Sequence, residues 1–119
     1  MMAATQDARA ALQAAREDVL ARLAGLERDF ASAVESAVAA NADDEHDPEG
    51  ATIAFERQHV ATLIEDARGQ LEQIDAALAR IDDGSYGICA SCGKPIAAAR
   101  LAARPAAATC IDCAAGKRR

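Results

Sequence analysis

The sequence predicts a mostly α protein: a long antiparallel helical hairpin of coiled-coil type, followed by a small four-cysteine module. Three observations predict it. Residues 1–83 carry two apolar stripes whose steps alternate between four and three residues, the seam of a coiled coil rather than the alternation of a strand. A polar stretch holding Pro48 and Gly50 separates the stripes. All four cysteines lie in the last 31 residues, as two Cys-x-x-Cys pairs. Composition agrees. The hydrophobic share of the 119 residues is 51%, but 33 of them are Ala, with two Phe, one Tyr and no Trp. Ala buries little area and aromatic rings bury most, so a large globular core is excluded and long, thin helices are favoured.

The first arm, residues 1–40, has no Pro and one Gly, Gly25. Its stripe runs through Leu12, Arg16, Val19, Leu23, Leu26, Phe30, Ala33 and Ala37, apolar at every position but one. Thr5 is the expected N-cap, with Asp7 in the first turn facing the helix dipole. Residues 41–50 hold five acidic groups and no Lys or Arg, and the first helix is expected to stop there. Asp47-Pro48-Glu49 reads as a second start: a capping carboxylate, Pro at the first helical position and an acid in the first turn.

The second arm, residues 51–83, places Val60, Ile64, Ala67, Leu71, Ile74, Leu78 and Ile81 on one stripe without a miss. Gly84 ends it as a left-handed C-cap. Arms of about 30–36 residues would each be about 45–55 Å long. Neither stripe can stay buried alone, so the arms pair and the acidic turn 41–50 becomes the tip of a rod, in a protein expected to be a monomer. The domain boundary falls between residues 83 and 84. Seven basic and eighteen acidic residues give 1–83 a charge of −11, whereas 84–119 carries +5.

Several function classes drop out. The formal charge of −6 argues against a general nucleic-acid binder, and no sequence-specific DNA binding is expected. No apolar run approaches the roughly 18–20 residues of a membrane span. The first residues lack the charged and apolar regions of a secretory leader, so a cytoplasmic location is expected. In a reducing compartment, paired Cys-x-x-Cys turns point to metal before disulfides. Cys89, Cys92, Cys110 and Cys113, with seventeen residues between the pairs, have the spacing of one tetrahedral Zn²⁺ site. Gly93 follows the second cysteine, where the chain must turn and backbone N–H groups can point at sulfur. Four thiolates leave no position for water, so the zinc is structural and no enzyme is expected. Tyr86 is expected to pack against the finger or the helix end. Arg100 and Arg104 either brace the finger or touch a partner.

The run Gly84-Ser85-Tyr86-Gly87-Ile88-Cys89-Ala90-Ser91-Cys92-Gly93-Lys94-Pro95-Ile96, then Arg100-Leu101-Ala102-Ala103-Arg104-Pro105 and Cys110-Ile111-Asp112-Cys113, resembles the DksA/TraR C4-type zinc-finger family. These are bacterial regulators of RNA polymerase, and the hairpin and acidic tip match their architecture. The resemblance implies a transcription regulator that binds RNA polymerase and inserts its coiled coil into the secondary channel. The implied partner-binding tip is Asp43, Asp44, Glu45, Asp47 and Glu49. The family's tip reads Asp-Pro-x-Asp-x-Ala. Here Asp47-Pro48 matches, but Gly50 and Thr52 follow; a one-residue shift puts Glu49 and Ala51 in those places. The alternative is a zinc-ribbon adaptor that binds protein or DNA through its basic head, without secondary-channel activity.

Overall fold

The structure is a computed structural model, and it describes residues 2–43 and 48–116. Two long helices dominate it: α1, Met2–Asp43, and α2, Pro48–Asp83. Two short ones follow, α3 (Ala98–Ala103) and α4 (Ile111–Ala114). Among the described residues the only β pairing is an isolated antiparallel bridge between Ile88 and Pro95. No helix among them is long and apolar enough to cross a membrane.

The two long helices begin and end largely where the punctuation places them. Pro48 is the first residue of α2. Asp47, its expected cap, lies outside the described residues, as do Asp44 and Glu45. At the other end, Gly84 takes φ +84. The Ser85 N–H then reaches the Arg80 carbonyl at 2.9 Å and the Gly84 N–H reaches the Ile81 carbonyl at 3.4 Å, the paired bonds of a Schellman ending. The Asp83 carboxylate accepts from the Ser85 N–H at 2.9 Å and from its hydroxyl at 2.5 Å. These bonds, the hydroxyl's first, hold the Asp83 pKa below the usual carboxylate value.

One boundary differs. α1 already includes Met2, three residues ahead of Thr5. Thr5 is therefore a helical residue and not the N-cap, and Asp7 is not in the first turn. Ala3 and Ala4 are the reason: Ala has the highest helix propensity, so the helix extends through them without a side-chain stop.

The helix pair is divided between two compact units, Met1–Glu17 with Leu71–Arg119, and Asp18–Gln70. In the first, Leu12 is buried on α1, and Ile74, Ala77 and Ile81 are buried on α2. Two ion pairs flank this seam: Arg9 Nη2 to Asp82 Oδ1 at 2.8 Å and Arg16 Nε to Asp75 Oδ1 at 2.7 Å. As the α1 number rises by seven the α2 number falls by seven, which makes the pair antiparallel and fixes its register. Arg16 is the polar member of the first stripe. It lies half-buried, its stem covering the seam and its head facing Asp75.

In the second unit Val19, Leu23, Ile64 and Ala67 are buried. Arg22 Nη2 donates to Gln70 Oε1 at 2.5 Å. Leu26, Phe30, Ala33 and Val60 are half-buried, so the stripe continues with less cover.

Truncating Leu12, which is 1% exposed, to Ala should cost about 2–4 kcal/mol in denaturant unfolding, whereas the same change at the half-exposed Leu20 should cost less than about 1 kcal/mol. Arg16→Ala should cost under about 1 kcal/mol, and the cost should shrink further in high salt, because both partners of its ion pair are more than a third exposed.

Candidate metal centre

Two turns bring the four cysteines together. In the first, the Ile88–Pro95 bridge closes a tight loop, with the Cys89 N–H on the Lys94 carbonyl at 2.8 Å. The Gly93 N–H returns to the Cys89 carbonyl at 2.9 Å, and Gly93 takes φ +76, a conformation that L side chains resist. Inside this loop the N–H groups of Ser91 and Cys92 both point at Cys89 Sγ, each at 3.4 Å. The turn therefore presents a sulfur already solvated by backbone donors, as a metal-bound thiolate requires.

The second turn is a helix start. Cys110 precedes α4 in an extended conformation, and Cys113 sits one turn later within it. The Ala114 N–H bonds the Cys110 carbonyl at 2.9 Å. Both cysteines of this pair thus face the same side of a single helical turn.

The four Sγ atoms lie within 4.8 Å of one another, and Cys92 Sγ stands 3.8 Å from Cys110 Sγ. A tetrahedron with Zn–S bonds of about 2.3 Å has edges of about 3.8 Å. Cluster size and donor chemistry therefore fit one structural Zn²⁺ whose shell is filled by sulfur. Cys89 is buried and the other three are half-buried. His59 on α2 is exposed and takes no part in the cluster; His46 lies outside the described residues.

Without metal, Cys89, Cys110 and Cys113 are unequal. Hydrogen bonding, led by the Cys110 backbone and then Cys92, draws the Cys89 pKa down to about 6. Cys110 is also lowered, first by the Cys113 backbone N–H. Cys113 is pushed up to about 12, by burial first and then by the neighbouring Cys110 thiol. A divalent cation removes this conflict, since its charge stabilises thiolates that would otherwise repel one another.

The segment around the cluster has little apolar filling. Between residues 84 and 116 only Cys89 and Ile96 are fully buried. Tyr86 is half-buried, and its hydroxyl donates to the Pro105 carbonyl at 2.8 Å. Burial of the ring raises the phenol's pKa. Arg100 donates from Nε to the Thr109 carbonyl at 2.9 Å, so of its two expected roles the bracing one is realised. Arg104 is exposed. The tip residues Asp43 and Glu49 fall within α1 and α2, while Asp44, Glu45 and Asp47 lie outside the described residues.

Comparisons with known proteins converge on this segment. The family model for the prokaryotic dksA/traR C4-type zinc finger matches residues 84–119. The chain is 49% identical over 45 residues to the RNA polymerase-binding transcription factor DksA of Caulobacter vibrioides, covering 38% of this chain and 32% of that protein. Against the Escherichia coli K12 protein of the same name it is 44% identical over 46 residues, 39% of this chain and 30% of that one. The matched stretch thus spans about a third of these relatives. Similarity to the solved structure of the transcription factor DksA2 from Pseudomonas aeruginosa extends further. It has a TM-score of 0.79 and 28% identity, covering 97% of this chain and 83% of that one.

Because zinc binds thiolates, protons compete with it. The raised Cys113 pKa favours the thiol in the metal-free cluster, so zinc uptake releases its proton. Apparent zinc affinity should therefore fall at least about tenfold for each unit that pH drops between 8 and 6, read by chelator competition. Removing the metal from the intact chain should unfold residues 84–119 and leave much of the helix-pair signal, as followed by amide exchange and far-ultraviolet circular dichroism.

Proposed function

We propose that the chain, whose finger matches the dksA/traR C4-type model and whose fold resembles DksA2, is a cytoplasmic, non-enzymatic transcription regulator of that family that binds RNA polymerase. The observation that carries the reading is the four-sulfur finger following directly on a long antiparallel helix pair, since this combination extends the resemblance beyond the cysteines to nearly the whole chain. The relatives so named bind RNA polymerase. Here the coiled-coil hairpin, residues 1–83, enters the polymerase secondary channel, and the finger, residues 84–119, serves as its head. Zinc ligation by Cys89, Cys92, Cys110 and Cys113 holds that head folded.

The tip supplies the chemistry. Asp43, Asp44, Glu45, Asp47 and Glu49 crowd five carboxylates into seven residues. Such a cluster is attracted to basic side chains and to Mg²⁺, both of which a polymerase active centre contains. Two helices side by side are thin enough for a narrow channel. The excess of positive charge in residues 84–119 offers contacts to acidic surfaces at the channel mouth. The protein acts as a monomer in this scheme, and its effect on transcription is one of binding and electrostatics rather than catalysis.

A pull-down of core RNA polymerase with the zinc-loaded chain should retain the enzyme, and a known secondary-channel protein should displace it. No retention at low micromolar protein would overturn the reading. In transcription assays the Asp43/Asp44/Asp47→Asn variant should still bind polymerase but lose most of the effect on promoter complexes. Binding to duplex DNA that weakens steeply with salt, in the absence of polymerase binding, would instead favour the zinc-ribbon adaptor.

A further inference from the structure

The loop that delivers the second cysteine pair has almost no means of holding itself. Residues 105–109 read Pro-Ala-Ala-Ala-Thr, with no charged or large apolar side chain among them. All five are half-buried. A partly buried loop needs partners for its backbone carbonyls, and the Pro and Ala side chains cannot supply them. The partners come from elsewhere. Tyr86 Oη takes the Pro105 carbonyl at 2.8 Å, the Ala90 N–H takes the Ala108 carbonyl at 2.8 Å, and Arg100 Nε takes the Thr109 carbonyl at 2.9 Å. The three donors stand at three different places: just past the end of α2, in the first cysteine turn, and on α3. Thr109 immediately precedes Cys110.

We propose that Tyr86 and Arg100 are positioning residues for the metal centre, which set how tightly zinc is held by fixing the carbonyls of the loop that carries Cys110 and Cys113. The inference rests on the zinc reading of the four cysteines and deepens it. Ala90 pins the loop to the first cysteine turn through its backbone N–H, which any residue but proline would supply. Tyr86 and Arg100 act through side chains, so the sequence controls this part of the site. Leu101 completes the arrangement. Its Cδ1 would lie 3.5 Å from a Cβ placed on Gly87, so α3 packs closely against the chain next to Tyr86. Losing one carbonyl capture leaves the ligands present but their approach loosened, which is the way outer-shell groups act on metal sites.

The test uses the full chain loaded with zinc. Tyr86→Phe keeps the ring and removes the donor; Arg100→Lys keeps the charge and stem but loses the Nε geometry. Each variant should release zinc to a chromogenic chelator about tenfold faster than the wild type. With cobalt in place of zinc, the ligand-field and thiolate charge-transfer bands should shift or weaken, while far-ultraviolet helicity stays unchanged. A merely structural role would not move the cobalt spectrum at constant helicity. Wild-type release rates with an unchanged cobalt spectrum in both variants would overturn the proposal. A wild-type chain that takes up no zinc would instead overturn the metal assignment on which it rests.

Discussion

The finger depends on four sulfur atoms meeting within one coordination shell. Residues 84–116 contain two helices of six and four residues, one isolated bridge and two fully buried side chains, which is too little to offset the entropy of ordering them. Coordination supplies what the apolar contacts lack. It also explains the local turns. Gly93 turns the chain back, and the N–H groups of Ser91 and Cys92 line up on Cys89 Sγ, because a thiolate in a partly dry site must be met by donors. The opposed pKa shifts of Cys89 and Cys113 describe the same constraint in the absence of the ion.

The helix pair works on a different principle. In each of its two compact units the core is built of Leu, Ile, Val and Ala, and no charged residue is buried as a whole among the described residues, although Arg80 Nε and Nη2 are shut off from solvent. Ala67 and Ala77, 2% and 0% exposed, let the helix backbones approach each other. Arg9 and Arg16 then meet Asp82 and Asp75 along the edge. Exposed pairs of this kind add little stability, but they penalise a shifted register, since a slip would set each Arg against the wrong neighbour. The Schellman ending at Gly84 connects the two systems, turning the chain off α2 so that Tyr86 can reach the Pro105 carbonyl.

The long helices, their antiparallel pairing, the Pro48 start and the Gly84 stop were all legible in the sequence. So was the meeting of the four cysteines in one cluster that fits a single zinc. Each is a local or periodic signal: four-three spacing, a residue without an N–H, a residue without a Cβ, a repeated Cys-x-x-Cys. Thr5 as a cap was the failure. A capping residue marks a helix start only where the preceding residues resist helix, and Ala3 and Ala4 do not. Ala77 was missed because the four-three frame gave its place to the neighbouring Leu78, which is only half-buried, although Ala77 lies three residues after Ile74 and four before Ile81.

The sequence by itself thus determined which elements form and which atoms could bind metal, because helix periodicity and ligand chemistry are properties of short stretches. The tertiary structure decided the rest: that Arg100 braces the loop at Thr109, that Tyr86 reaches across nineteen residues to Pro105, and that Arg16 meets Asp75. In each case a flexible side chain chooses among several acceptors. The choice follows from which carbonyl or carboxylate the folded backbone brings within about 3 Å, and no spacing rule along the chain encodes that distance.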